Sequence, residues 1–220
     1  MAQLIASLDV ARVRDNFADV RRRIDGAARA AGRDPGAVEL LAAVKYLEAG
    51  ALGVLHDAGI ELVGENRVQA LAHKQAAHPE LTWDFIGTLQ SRKVRELVGR
   101  VRLIHSVASD SALEQLARHG HGADTEVLVE VNLSGEHSKG GVAAPDVADF
   151  VARCPVRVGG LMTMPPLARD PERSRPYFAR LAALAGELGL ARLSMGTSQD
   201  YEVAVQEGAT IVRIGTILYR

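Results

Sequence analysis

From residue 38 onward the chain repeats one unit: a short, nearly continuous apolar run, a polar or glycine junction, then an amphipathic stretch of about three turns. The runs fall at 38–44, 60–63, 82–86, 101–107, 126–131, 156–162, 192–195 and 210–214, and each reads as a strand. Runs such as Leu40-Leu41-Ala42-Ala43-Val44 and Val127-Leu128-Val129-Glu130-Val131 lack the in/out alternation of a sheet with one wet face. That implies strands covered on both sides, as in parallel sheets. The segments between them, 49–58, 68–77, 91–98, 111–118, 145–153 and 176–188, are long enough for crossover helices. Eight strand–helix units predict an α/β fold, a single (β/α)8 TIM barrel filling one domain over 1–220; an open doubly wound sheet is the alternative. Ahead of the first run, Ile5, Leu8, Val13, Phe17, Val20 and Ile24 recur at helical spacing and predict an extra N-terminal helix, stopped by Gly32, Asp34 and Pro35.

Composition narrows the class of function. A net charge of −1 supplies no field for nucleic acid or anionic lipid, and 4% aromatic residues argue against a base-stacking surface. The longest stretch without Asp, Glu, Lys or Arg is 158–168, interrupted by two prolines and far short of the roughly 20 residues that span a bilayer. Cys154 is the sole cysteine, so an intrachain disulfide and a thiolate metal site are excluded, and the histidines show no ligand spacing. A cytoplasmic protein without metal, membrane or nucleic-acid partner is expected.

In such a barrel, function belongs at the C-terminal ends of the strands. Lysine occurs only at 45, 74, 93 and 139, and only Lys45 ends a predicted strand. Desolvation there would favour the neutral amine, the form that attacks an aldehyde; the plainer reading is a lysine extending its ammonium past the strand end to water. Gly196-Thr197-Ser198 and Gly215-Thr216 follow the last two strands, where such barrels hold phosphate on backbone N–H groups and hydroxyls. Ser198 acting only as a helix cap is the alternative. Arg213 interrupts an apolar strand and needs an acceptor, either a ligand atom or a barrel glutamate such as Glu130 or Glu65. Lysine, phosphate cradle and arginine together point to a phosphorylated aldehyde. Glu65-Asn66 reads equally as pocket wall or helix cap.

With these residues in view, the sequence resembles the YggS/PROSC family of pyridoxal 5′-phosphate (PLP) homeostasis proteins. The resemblance runs through Leu40-Leu41-Ala42-Ala43-Val44-Lys45, Gly64-Glu65-Asn66-Arg67-Val68-Gln69, Phe85-Ile86-Gly87-Thr88-Leu89-Gln90-Ser91-Arg92-Lys93 and 131–141, then Gly160-Leu161-Met162-Thr163, 193–202 and Val212-Arg213-Ile214-Gly215-Thr216. It implies a barrel like the alanine racemase N-terminal domain, with pyridoxal 5′-phosphate held as a Schiff base on Lys45. Asn66, Met195 and Gly196 would belong to the cofactor site, Ser198, Gly215 and Thr216 would hold the phosphate, and Arg213 would face the pyridine nitrogen. An arginine in that place keeps the ring nitrogen unprotonated and weakens the cofactor as an electron sink.

The resemblance further implies an intracellular PLP carrier and buffer, acting as a monomer, delivering PLP to PLP-dependent apo-enzymes and having no catalytic residues. Alanine racemases complete their site with a second domain and a partner subunit, whereas this sequence ends soon after Thr216. Three alternatives remain at this stage: a PLP-dependent amino-acid racemase-like enzyme of reduced size, a barrel aldolase using Lys45, and a protein-interaction module. The chain departs from the family pattern at Val44 (Ser or Thr), Asp84 (His), Arg92 (Asn) and Thr197 (Met).

Overall fold

The computed structural model describes residues 4–136 and 140–220. Its strands are β1 (Glu39–Ala43), β2 (Leu62–Glu65), β3 (Thr82–Phe85), β4 (Leu103–Val107), β5 (Glu126–Asn132), β6 (Val142–Ala143), β7 (Val158–Met162), β8 (Arg192–Thr197) and β9 (Ile211–Ile214). Its helices are α1 (Val10–Ala30), α2 (Gly53–Asp57), α3 (Val68–Ala77), α4 (Val94–Leu97), α5 (Asp110–His119), α6 (Val147–Ala152), α7 (Arg175–Glu187) and α8 (Tyr201–Gln206).

All strand pairings are parallel. β1 lies between β2, with Ala42 opposite Val63, and β9, with Leu41 opposite Arg213. The pairing of β4 with β5, Ile104 opposite Val127, closes the ring in the order β1-β2-β3-β4-β5-β7-β8-β9. Closure decides between the barrel and the open sheet. The family expectation of an alanine racemase-like barrel with an N-terminal helix therefore holds. One element was not anticipated: β6 pairs with β5 through Val131 and Val142 but stands outside the ring, and two residues are too short to register as an apolar run.

The N-terminal helix starts later than its apolar spacing suggests. Asp9 accepts from the Arg12 amide at 2.7 Å and sets the first turn, so Val13, Val20, Ile24, Ala27 and Ala28 form the buried face. Ile5 is instead extended, bridging to Leu47: its amide donates to Tyr46 and its carbonyl accepts from Glu48, at 2.8 and 2.9 Å. Arg33 fastens the end of this segment to α8 by donating to the carbonyls of Val205 and Ala209.

Strand parity explains why the apolar runs did not alternate. Leu41, Leu103, Leu128, Met162 and Ile211 point to the barrel axis and form a small separate core. Leu40, Ala42, Ile104, Val127, Val129 and Val212 point the other way, into the larger core beneath the helices. Both faces are dry, as in other parallel sheets. Below the axial core the barrel's N-terminal end is closed by charge: Arg102 donates to both Glu39 oxygens at 2.8 and 2.9 Å and to both Asp84 oxygens at 3.0 and 2.8 Å. Arg192 bridges Glu126 and Glu39 at 3.3 and 3.8 Å. Above the core lies the rim where function was expected.

Candidate functional site

A cavity of ≈ 320 Å³ opens at the C-terminal rim, within the range that takes a small ligand. Lys45, Asn66, Ser198, Arg213, Gly215 and Thr216 all line it, so six of the eight residues expected to contact a cofactor meet in one place. The other two do not. Parity directs Ser194 inward on β8, so Met195 faces outward and is fully buried in the core under the helices. Gly196 (φ +90°) makes the turn beside it; a Cβ there would sit 2.6 Å from Ala204 and 3.0 Å from the Tyr201 backbone.

Lys45 continues the inward parity of Leu41 and Ala43, but it lies two residues beyond the end of β1, in a turn, and is exposed. Its side chain therefore reaches solvent at the rim rather than a desolvated strand end. Its ammonium rests 4.9 Å from the centre of the Tyr46 ring. Lys45 also borders a second cavity of ≈ 420 Å³, shared with Leu4, Glu65, Arg67, His73 and Lys74.

Behind Lys45 stands a residue that sequence reasoning passed over. Lys74 looked like one more surface residue of a helix, yet it is buried, donating to Glu65 Oε2 at 2.5 Å and to the Val44 carbonyl at 2.8 Å. The other Glu65 oxygen accepts from the amides of Asn66 and Arg67 at 2.6 and 3.1 Å. Glu65 thus does more than border the second cavity: it ties the turn after β2 to the end of β1. The turn leaves Asn66 Oδ1 buried with no hydrogen-bond partner among the described residues, although Asn66 lines the cavity. A buried acceptor without a donor is costly, and a ligand hydroxyl would satisfy it. Gly87 makes the approach possible, since a Cβ there would fall 2.0 Å from the Asn66 carbonyl oxygen.

At the opposite wall, Ser198 does not cap α8. Its hydroxyl oxygen accepts from the Gly215 amide at 3.2 Å and joins the two glycine loops, leaving its own proton free to donate. Asp200 shapes the first loop by accepting from the amide and hydroxyl of Thr197 at 2.8 and 3.1 Å. Ser198, Gly215 and Thr216, from the loops after β8 and β9, line this wall together and bring hydroxyl donors to it, of the kind a phosphate takes.

Arg213 is buried at the cavity floor, and its acceptors are neutral rather than Glu130 or Glu65. It donates to the Ser194 carbonyl at 2.9 Å and hydroxyl at 2.5 Å, the Thr163 carbonyl at 3.1 Å and the Met164 thioether at 2.8 Å. Burial lowers its pKa to about 10, partly offset by the nearby carboxylates of Glu130 and Asp200, so it stays charged at neutral pH. The thioether is a weak acceptor on a half-exposed residue, and a ligand nitrogen would replace it with a better one. Glu130 lies close enough to feel Arg213, but burial dominates and raises its carboxyl above the usual range.

Behind Arg213 stand His105 and Asp84, both buried: His105 Nδ1 lies 2.8 Å from Ser194 Oγ and Nε2 lies 3.1 Å from Asp84 Oδ2. Burial, helped by the positive charges of Arg213 and Arg102, pushes the His105 imidazole down. Burial opposes the Asp84 carboxylate, but hydrogen bonds from His105 and Arg102 outweigh it and hold the group below its usual value. Lys93 pairs with Glu96 at 2.7 Å, away from the cavity, and Lys139 lies outside the described residues.

Comparison with known proteins agrees with this geometry. Residues 8–220 match the model of the alanine racemase N-terminal domain. The pyridoxal phosphate homeostasis protein of Aquifex aeolicus is 40% identical over 219 residues, covering 93% of this chain and 96% of that one. The protein of the same name from Pseudomonas aeruginosa is 41% identical over 217 residues, covering 94% of each. The solved structure of PipY from Synechococcus elongatus with PLP bound is 32% identical, superposes with a TM-score of 0.82, and covers 94% of this chain and 100% of PipY. Among the described residues no helix is long and apolar enough to cross a membrane, and no group of three or more His, Cys, Asp or Glu is placed to hold a metal ion.

Proposed function

Because the chain belongs to the alanine racemase N-terminal domain family, and within it to the pyridoxal phosphate homeostasis proteins, we propose that it holds pyridoxal 5′-phosphate in the rim cavity as a Schiff base on Lys45 and serves PLP homeostasis. The observation that carries this reading is the convergence of Lys45, Asn66, Ser198, Gly215, Thr216 and Arg213 on one cavity of ≈ 320 Å³. When bound, the cofactor supplies an aldehyde that the Lys45 amine condenses with, releasing water. The chain's own residues do the rest. Ser198, Gly215 and Thr216 hold the phosphate, the unsatisfied Asn66 Oδ1 accepts from the ring hydroxyl, and Arg213 donates to the ring nitrogen in place of the Met164 thioether.

The role is that of a carrier and buffer rather than an efficient catalyst. A guanidinium that stays charged leaves the ring nitrogen no proton to accept, which weakens the cofactor as an electron sink. The exposed position of Lys45 supports hand-over, since an amine from a recipient apo-enzyme can reach the same carbon. The reading extends to a cytoplasmic monomer, in keeping with a single unpaired cysteine, Cys154.

The test is the visible absorbance of the purified protein with added PLP, followed by borohydride reduction and mass spectrometry. The expected result is absorbance from the lysine–cofactor linkage and a reduced adduct on Lys45. A colourless protein, an adduct elsewhere, or a Lys45→Ala variant with an unchanged spectrum overturns the assignment. Amino-acid α-proton exchange well above that of free PLP would overturn the carrier role in favour of an enzyme.

A further inference from the structure

Four buried polar side chains from β3, β4, β8 and β9 form a chain through the barrel, and its direction follows from what each group can donate. Arg213 carries only donors, so Ser194 Oγ is the acceptor of their 2.5 Å bond. A serine oxygen can accept twice, so the next bond takes its direction from the far end: the Asp84 carboxylate offers only acceptors, and His105 presents its Nε2–H to it at 3.1 Å. In a neutral imidazole Nδ1 then accepts, from the Ser194 hydroxyl at 2.8 Å. Asp84 can only accept, and it does so from His105, from Arg102 and, at 3.2 Å, from the Leu103 amide. The alternative, a charged imidazolium with both nitrogens donating, would bury a second cation beside Arg213.

We propose that Asp84, His105 and Ser194 are positioning residues: a one-way hydrogen-bond relay that fixes the Arg213 guanidinium against the cavity floor and so sets the nitrogen end of the ring of a bound PLP. The effect on PLP rests on the cofactor reading above; the relay itself does not. The relay gives Asp84 a role in the barrel interior, where it is fully buried. None of the three lines the cavity, so each acts through Arg213. Ser194 also contributes its backbone carbonyl to Arg213 at 2.9 Å, so loss of the hydroxyl loosens the guanidinium without releasing it.

Two measurements test the relay. In nitrogen-15 NMR of the PLP-free protein, His105 is expected as the Nε2–H tautomer with an unprotonated Nδ1, and to protonate at lower pH than an ordinary histidine does. The groups facing it are Asp84, Ser194, Arg102 and Arg213. In the Ser194→Ala variant, PLP affinity is expected to fall about tenfold, as loss of one charge-assisted hydrogen bond implies. The pH midpoint of the visible band should shift, while the thermal midpoint stays within a few degrees of the parent. An Nδ1–H tautomer, a His105 that titrates in the ordinary range, or a folded Ser194→Ala variant with parental affinity and parental pH midpoint overturns the relay. If the parent protein takes up no PLP, the cofactor reading fails, and the tautomer of His105 still decides the relay by itself.

Discussion

Lys74, a buried lysine of α3, donates to the backbone carbonyl of Val44, the residue immediately before Lys45, at 2.8 Å. The same ammonium meets the buried Glu65 carboxylate, so the rim that presents Lys45 is held from behind by an ion pair sealed from water. Removing one partner of such a pair strands the other charge, which costs more than the pair gains while intact. Lys74→Met is therefore expected to lower the stability to denaturant by about 3 kcal/mol. Lys74→Met combined with Glu65→Leu should recover most of that loss, which equilibrium unfolding in urea would read directly.

The turn holding Asn66 depends on a bare backbone opposite it. In Gly87→Ala the added methyl would meet the Asn66 carbonyl oxygen at 2.0 Å and its carbonyl carbon at 2.7 Å, both backbone atoms that cannot rotate away. Expected is a loss of about 1–3 kcal/mol in stability from overpacking. Weakened PLP uptake should accompany it as Asn66 leaves the cavity wall; parallel thermal melts and PLP titrations would show both.

The phosphate end should be separable from the covalent end. Ser198→Ala removes a hydroxyl donor yet leaves Lys45 in place, so PLP is expected to bind about tenfold more weakly while borohydride still fixes it to Lys45. Inorganic phosphate should compete with PLP in the parent protein and far less in the variant, as followed by the visible band.

Acid stability should carry the signature of the buried imidazole. The folded-state pKa of His105 lies below its ordinary 6.5, so under mild acid the unfolded chain binds a proton that the native chain refuses. Stability is accordingly full above about pH 6.5 and falls as pH drops below it, with a slope of up to ~1.4 kcal/mol per pH unit for this one proton. Asp84 acts lower down: its native pKa is held below 3.8, so its contribution is present above that value and is lost as pH falls through the native one. Urea unfolding from pH 7 to 5 should show the first slope, and His105→Gln should flatten it.

Much of this architecture was readable in advance because it is written in local signals. Strands dry on both faces leave continuous apolar runs, so each of the eight ring strands announced itself. Lys45 and Arg213 stood out as charges at the end or in the middle of such runs. What stayed hidden depends on neighbours that are distant in the chain. Lys74 resembles any helical lysine until the fold brings Glu65 beside it, and Asp84, His105 and Ser194 lie on three strands, so no spacing links them. Met195 sits next to residues that do face inward, and only the parity of β8 shows that it points away. Ile5 matched a helical period by coincidence, because the Asp9 cap lets the preceding segment run extended to Leu47.

The charged closure of the barrel's lower end leaves the C-terminal rim as the side from which the cavity is entered. Glu39, Arg102, Asp84, Glu126 and Arg192 shut the N-terminal end, and the axial leucines, Met162 and Ile211 fill the space above them. With the axis filled, the cavity is reached over the rim, so a bound molecule and an amine that is to receive it would meet at the same opening beside Lys45.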